Sequence, residues 1–257
     1  MNGKKRPKRK LRKGFIGAML SVIMVVFIIL LATVLLPINN ISVKYSGKKY
    51  TSKEILALSG INKGDNIIMT LESVVNKKVT EGLPFIGSVE IVKEMPDTVT
   101  LVVSETKAAY CVKHKKKYIS MDSGFKILET TEKRNKKLTY ISGLKLSEAE
   151  EGRIAAFKDA NAFNNAKEIM ETVKKSGNSV NYLDATSQFD IRLTVNGKYA
   201  VEIGTTADLT EKLNFMNKMI EQIEKKHNND KGTINLRYYT EKKEGYFTRG
   251  EKNETYN

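Results

Sequence analysis

Residues 15–36 read FIGAMLSVIMVVFIILLATVLL. This is an uncharged apolar run of about 22 residues, or about 33 Å as a helix, enough to cross a hydrocarbon core. The segment before it, MNGKKRPKRKLRKG, carries eight Lys/Arg (Lys4, Lys5, Arg6, Lys8, Arg9, Lys10, Arg12 and Lys13) and no acid. On the far side, Ile38 to Val43 are uncharged. Short flanks rich in Lys/Arg stay in the cytoplasm, so the N-terminus is expected inside and the long C-terminal part outside. A cleaved leader would have an apolar core of about 7–15 residues and a small-x-small site. The run here is longer, and Leu35-Leu36-Pro37-Ile38 has no such site, so the expectation is an uncleaved anchor of single-pass, type II topology. The tail serves as a topology signal or also touches anionic headgroups, at about 1 kcal/mol per residue near the surface.

About 220 residues follow the span, enough for two small domains with separate cores. The tail accounts for eight charges of the formal +15, and the remaining positive charge is spread along the chain. Spread charge, with the most basic segment on the cytoplasmic side, argues against a nucleic-acid partner. The single cysteine, Cys111, excludes an intramolecular disulfide. Its apolar neighbours predict a buried small side chain.

Ile41–Tyr45 alternates as a half-buried strand does. Thr51 and Glu54 have capping-box spacing at a helix start, and Gly60 is placed to end that helix. After Gly64-Asp65-Asn66 a second helix is expected, with Leu71, Val74, Val75 and Val79 on its inner face. Ile86–Val92 and Val99–Val103 read as strands joined by a tight reversal at Pro96-Asp97. The order is strand, helix, helix, strand, strand. Further strands are predicted at 110–112, 117–121, 125–128, 180–183, 189–195 and 199–203. Asn196-Gly197 is the strongest hairpin signal in the chain. Helices are predicted at 155–173, with Phe157 on its inner face, and at 208–225, where Leu209, Leu213, Met216, Ile220 and Ile223 form one apolar stripe. A final strand is predicted at 233–239. Tyr246-Phe247 beyond it reads either as exposed anchors or as one more short strand.

Several of these stretches together resemble the FtsQ/DivIB family of bitopic bacterial cell-division proteins. They are Ile41-Ser42-Val43…Gly47, Ser59-Gly60-Ile61…Gly64-Asp65-Asn66-Ile67, Leu83-Pro84-Phe85-Ile86, Glu94-Met95-Pro96-Asp97-Thr98-Val99, Tyr118-Ile119…Asp122-Ser123-Gly124, Gly204…Lys212-Leu213 and Gly232-Thr233-Ile234-Asn235-Leu236-Arg237. Asn235 stands where many relatives carry an acid, and residues 132–152 match nothing in the pattern. The resemblance implies an α+β fold: a cytoplasmic tail (1–14), a transmembrane helix (15–36), a βααββ POTRA domain (38–106), a β-rich domain with two helices packed on a sheet (107–240) and a polar C-terminal tail (241–257). It implies a non-catalytic divisome scaffold in the cell membrane, enriched at the division septum, that helps regulate septal peptidoglycan synthesis. Its partners would be FtsB/DivIC-like and FtsL-like bitopic proteins, with no cofactor and no small-molecule substrate. In relatives the partner peptide docks near the last strand. Carried over, that gives Thr233, Asn235, Arg237, Tyr238 and Tyr239 as protein-binding residues on an exposed edge.

The rival classes are a membrane-anchored cell-wall enzyme and an envelope transport or sporulation scaffold. Ser-x-x-Lys occurs at Ser46, Ser104, Ser123 and Ser142, a tetrapeptide that a chain so rich in Lys produces by chance. Lys175-Ser176-Gly177 and Ser176-Gly177-Asn178 mimic the supporting motifs but share residues, so they cannot form two walls of one site. The histidines, His114 and His227, lack ligand spacing. Glu148, Glu150 and Glu151 read as a solvated loop or helix start. Transport modules of this kind come as several copies, and no internal repeat is present.

Overall fold

A computed structural model describes residues 13–226 and 230–250. The basic residues Lys4 to Arg12, His227 and the end of the C-terminal tail lie outside the described residues. The chain falls into two compact units, residues 1–80 with 86–105 and residues 81–85 with 106–257.

The first helix, α1 (Lys13–Leu35), contains the apolar run. Its side chains are described for residues 17–29, and all of these are exposed, Met24 at 65% and Phe27 at 59% among them. That stretch is shorter than a bilayer span. Among the described residues, no helix is long and apolar enough to cross a membrane.

The rest of the first unit runs β1 (Asn40–Tyr45), α2 (Ser52–Ser59), α3 (Glu72–Gly82), β2 (Ile86–Glu94) and β3 (Thr98–Glu105). The βααββ order is as the sequence predicts. The sheet order is β1-β3-β2, with β1 parallel and β2 antiparallel to β3. Thr51 starts α2 with both halves of a capping box: Glu54 N–H donates to Thr51 Oγ1 (3.3 Å) and Thr51 N–H to Glu54 Oε2 (2.7 Å). Such a cap is worth about 1 kcal/mol. Gly60 closes the helix in the left-handed region at φ 71°, which a β-carbon would disfavour. Ile55, Val75, Val79, Ile86, Val99 and Leu101 are buried in the core. The outer edge of β2 is occupied by α3: Val89 N–H donates to Asn76 Oδ1 (2.8 Å) and Ile91 N–H to Glu72 Oε2 (2.9 Å). The predicted inner face of this helix is only half right: Leu71 lies before α3 and is 60% exposed, and Val74 is 45% exposed.

The second unit runs β4 (Ala108–His114), β5 (Lys117–Asp122), β6 (Ile127–Thr131), β7 (Thr139–Ser142), β8 (Leu146–Glu148), β9 (Ala156–Phe157), α4 (Ala160–Lys175), β10 (Val180–Asp184), β11 (Ile191–Val195), β12 (Tyr199–Gly204), α5 (Leu209–Lys226), β13 (Gly232–Asn235), α6 (Tyr239–Lys242) and β14 (Tyr246–Arg249). Among the described residues, nine strands form one sheet in the order β14-β13-β12-β11-β10-β7-β4-β5-β6, and β8 pairs with β9. β7 is parallel to both its neighbours and β13 is parallel to β12; the other joins of the large sheet are antiparallel. Ile169 and Val173 of α4 and Leu213, Met216 and Ile220 of α5 share one core cluster with the strands. Cys111, in β4, is fully buried outside that cluster, and burial pushes its thiol pKa up.

Three expectations are corrected. Helix α4 begins at Ala160, because the Asp159 carboxylate accepts the N–H groups of Asn161 (2.9 Å) and Ala162 (3.0 Å) as its N-cap; Phe157 lies in β9 instead. The unplaced segment 132–152 supplies β7, a central strand. The sheet also continues past residue 240, into β14.

Candidate protein-binding edge

One end of the large sheet is built from β12, β13 and β14. In register, Ala200 faces Thr233 and Glu202 faces Asn235 across the parallel join; Thr233 faces Thr248 and Asn235 faces Tyr246 across the antiparallel one. Both edges of β13 are therefore taken. The predicted strand 233–239 is not an edge, and it stops at Asn235. Asn235 itself stops it, since its Oδ1 accepts the Arg237 N–H (3.0 Å) in an Asx turn. Leu236 is fully buried and donates its N–H to the Glu202 carbonyl oxygen (2.8 Å). A proline at Asn235 or Leu236 would consequently break this fold's own sheet rather than only a partner contact.

The five residues expected to bind protein have separate surroundings. Thr233 and Asn235 are half-buried in β13. Arg237 lies between two acids, with Nε 3.1 Å from Glu202 Oε2 and Nη2 2.8 Å from Asp190 Oδ1. Asn235 Nδ2 also donates to Glu202 Oε2 (3.1 Å), and Arg192 Nη2 lies 2.6 Å from Asp190 Oδ2. Reversing the charge at Arg237 would crowd three acids together, so it would test folding as well as binding. Tyr239 opens α6 and packs on Phe215, ring centroids 5.0 Å apart. Lys243 Nζ sits 5.1 Å from the Tyr239 ring; its hydrogen bonds to Glu211 and Asp208 hold its pKa above the usual lysine value. Tyr238 is 56% exposed and is the one of the five that projects freely.

The outer strand, β14, settles the choice between anchors and a further strand at Tyr246-Phe247. Phe247 turns inward, edge-on to Tyr199 (6.3 Å), while Tyr246 is 51% exposed and donates its hydroxyl to Glu244 Oε2 (2.6 Å). Among the described residues, no strand pairs with the outer edge of β14. The Gly250 N–H donates to the Lys231 carbonyl oxygen (3.1 Å), which fixes the phase of the ladder. By the alternation of an antiparallel pair, the N–H groups of Tyr246 and Thr248 face β13 and those of Phe247 and Arg249 face outward. The signal for this edge was the short β-prone run Tyr246-Phe247-Thr248-Arg249 after Gly245.

The Ser-x-x-Lys serines are scattered over both units; Ser104, in β3, shares a hydrogen bond with Ser88 (2.7 Å). No group of three or more His, Cys, Asp or Glu residues is placed to hold a metal ion, among the described residues.

Residues 36–106 match the family model described as POTRA domain, FtsQ-type. A cell division protein DivIB of Clostridium botulinum (strain Loch Maree / Type A3) is 27% identical over 226 residues, covering 84% of this chain and 87% of that protein. The DivIB of Bacillus subtilis (strain 168) is 31% identical over 123 residues, 47% of this chain and 46% of that protein. The DivIB of Clostridium tetani (strain Massachusetts / E88) is 25% identical over 197 residues, 74% and 72% of the two chains.

Proposed function

Because the chain belongs to the FtsQ/DivIB family of cell-division proteins, we propose that it is a non-catalytic scaffold of the divisome, held in the cell membrane at the septum. In this reading α1 is the anchor, the N-terminus is cytoplasmic, and both units stand outside. The exposed apolar side chains along α1 support this, since burying each such side chain in an apolar medium is worth about 1.5–3 kcal/mol. The unit beyond binds bitopic division proteins of the FtsB/DivIC and FtsL kinds and thereby helps regulate septal peptidoglycan synthesis.

The observation that carries this reading is the outer edge of β14, which pairs with no strand among the described residues. An extended segment of a partner can add there as a tenth strand, with main-chain bonds giving affinity and side-chain pockets giving specificity. Tyr238 and Tyr246 are exposed aromatic anchors at that end. Thr233, Asn235, Arg237 and Tyr239 act from behind, by holding β13, the Arg237 network and α6 in place.

Arg249→Pro tests the edge directly. It deletes an outward N–H and spares those facing β13. Arg249→Ala is the control, because it also removes the ion pair to Asp230 (2.6 Å). Partner binding by purified ectodomain should fall about tenfold in Arg249→Pro relative to Arg249→Ala, the equivalent of one lost ladder bond. Equal affinity in the two folded variants would refute addition at β14.

A further inference from the structure

The chain leaves α1 and is bonded at once to a loop of the first unit. The Leu36 carbonyl oxygen accepts the Ile67 N–H (3.1 Å), Ile38 N–H donates to the Asp65 carbonyl oxygen (2.8 Å), and Gly64 N–H donates to that of Ile38 (2.8 Å). Pro37 and Asn66 form a β-bridge. Main-chain bonds thus pin residues 64–67 to the C-terminal end of α1. The side chains that follow are large, apolar and exposed: Ile68 52%, Met69 67%, Leu71 60% and Val74 45%, although Ile67 is fully buried.

Basic groups rim this patch. Met69, Leu71, Val74 and Lys78 line one shallow depression, and Lys93 Nζ donates to the Ile68 carbonyl oxygen (3.3 Å). The nearby acids are engaged by main-chain donors. Asp65 Oδ2 accepts the Asn62 N–H (2.7 Å), and Glu72 Oε2 accepts the Ile91 N–H (2.9 Å). Apolar side chains bordered by ammonium groups are the composition of a surface that rests in a bilayer interface.

We propose that residues 66–74 form a second membrane contact, lying in the headgroup layer of the bilayer that α1 enters. Met69 and Leu71 reach the acyl boundary, and Lys78 and Lys93 face anionic phosphates. The proposal rests on the reading of α1 as an anchor, because the end of α1 is what brings this loop to the interface. A lone helix would leave the first unit free to swivel; a second contact fixes its height and tilt over the lipid.

The chain has no tryptophan, so Met69→Trp places a single reporter in the loop. The full chain is reconstituted in phosphatidylglycerol–phosphatidylcholine vesicles, with and without bromine on the acyl chains. Phe189→Trp, at a 71% exposed position of the second unit, is the control. The expected result is flotation with the vesicles, blue-shifted Met69→Trp emission, and its loss to the brominated lipid, with neither spectral change in the control. Adding Lys78→Glu and Lys93→Glu should reduce that quenching. If the chain floats but Met69→Trp stays red and open to iodide, the loop contact is wrong and the anchor stands. A blue shift without bromine quenching means that protein covers the loop, and also overturns the proposal. If the chain does not float, anchor and contact fall together. Leu71→Trp repeats the measurement should Met69→Trp lose the native circular dichroism.

Discussion

Gly204 ends β12 at φ 73°, and a β-carbon there would lie 3.2 Å from the Arg237 Cα. Gly204→Ala should therefore cost about 1–3 kcal/mol, read by urea unfolding. Lys212, fully buried, reaches the same corner. Its Nζ donates to the carbonyl oxygens of Ile203 (3.2 Å) and Thr205 (2.9 Å), one on each side of Gly204. Burial pushes its pKa down, and Asp208 partly opposes this. Lys212→Met removes the donor from both carbonyls, so a loss of about 2–4 kcal/mol is expected by the same measurement. Because the unfolded chain binds this proton more tightly, wild type should gain on Lys212→Met as pH rises toward the ordinary lysine value of about 10.4. Both residues stand in the sequence stretch Gly204…Lys212-Leu213 that carried the family resemblance. Their partnership could not be read there, because it depends on α5 folding back over the end of β12.

Among the elements, those with local signals were legible and those specified by distant neighbours were not. The capping box at Thr51, Gly60, the Asn196-Gly197 turn and the apolar stripe of α5 each place an element by contacts within a few residues. β7 is four residues, Thr139-Tyr140-Ile141-Ser142, too short for a period, and its place between β4 and β10 is set by strands far off in sequence. The end of β13 is not legible in the sequence, because an asparagine side chain, rather than a glycine or proline, turns the chain. Helical spacing puts Leu71 and Val74 on an inward face, because it identifies an apolar face but not what covers it. The same logic applies to the end of the sheet: the last conspicuous strand motif is internal, and the weaker run after it is outermost among the described residues. Leu236→Pro, which removes the bond to the Glu202 carbonyl oxygen, should cost about 3 kcal/mol or more. Amide hydrogen exchange should show protection falling in β12, β13 and β14 while β1 to β3 keep theirs.

For the whole molecule, alkaline pH gives a test of the second core. Burial raises the phenol pKa of Tyr110, Tyr140 and Tyr199 above the usual value. A raised folded pKa contributes stability that is complete below about 10 and is lost as pH climbs through the folded values. The second unit should unfold in that window, with these phenols ionising only as it opens; ultraviolet absorbance of phenolate followed beside circular dichroism checks it. Lys126 and Lys212, whose pKa values are lowered by burial, act in the opposite sense.

From β4, the large sheet extends on one side through β5 and β6 and on the other through β7, β10, β11, β12, β13 and β14, each series in chain order. A polypeptide emerging N-terminus first can therefore lay every new strand on a rim already laid down, with no need to wedge between two that have met. The rim at β14 is the last of this sheet to be made, so that edge cannot exist before the other eight strands have left the ribosome.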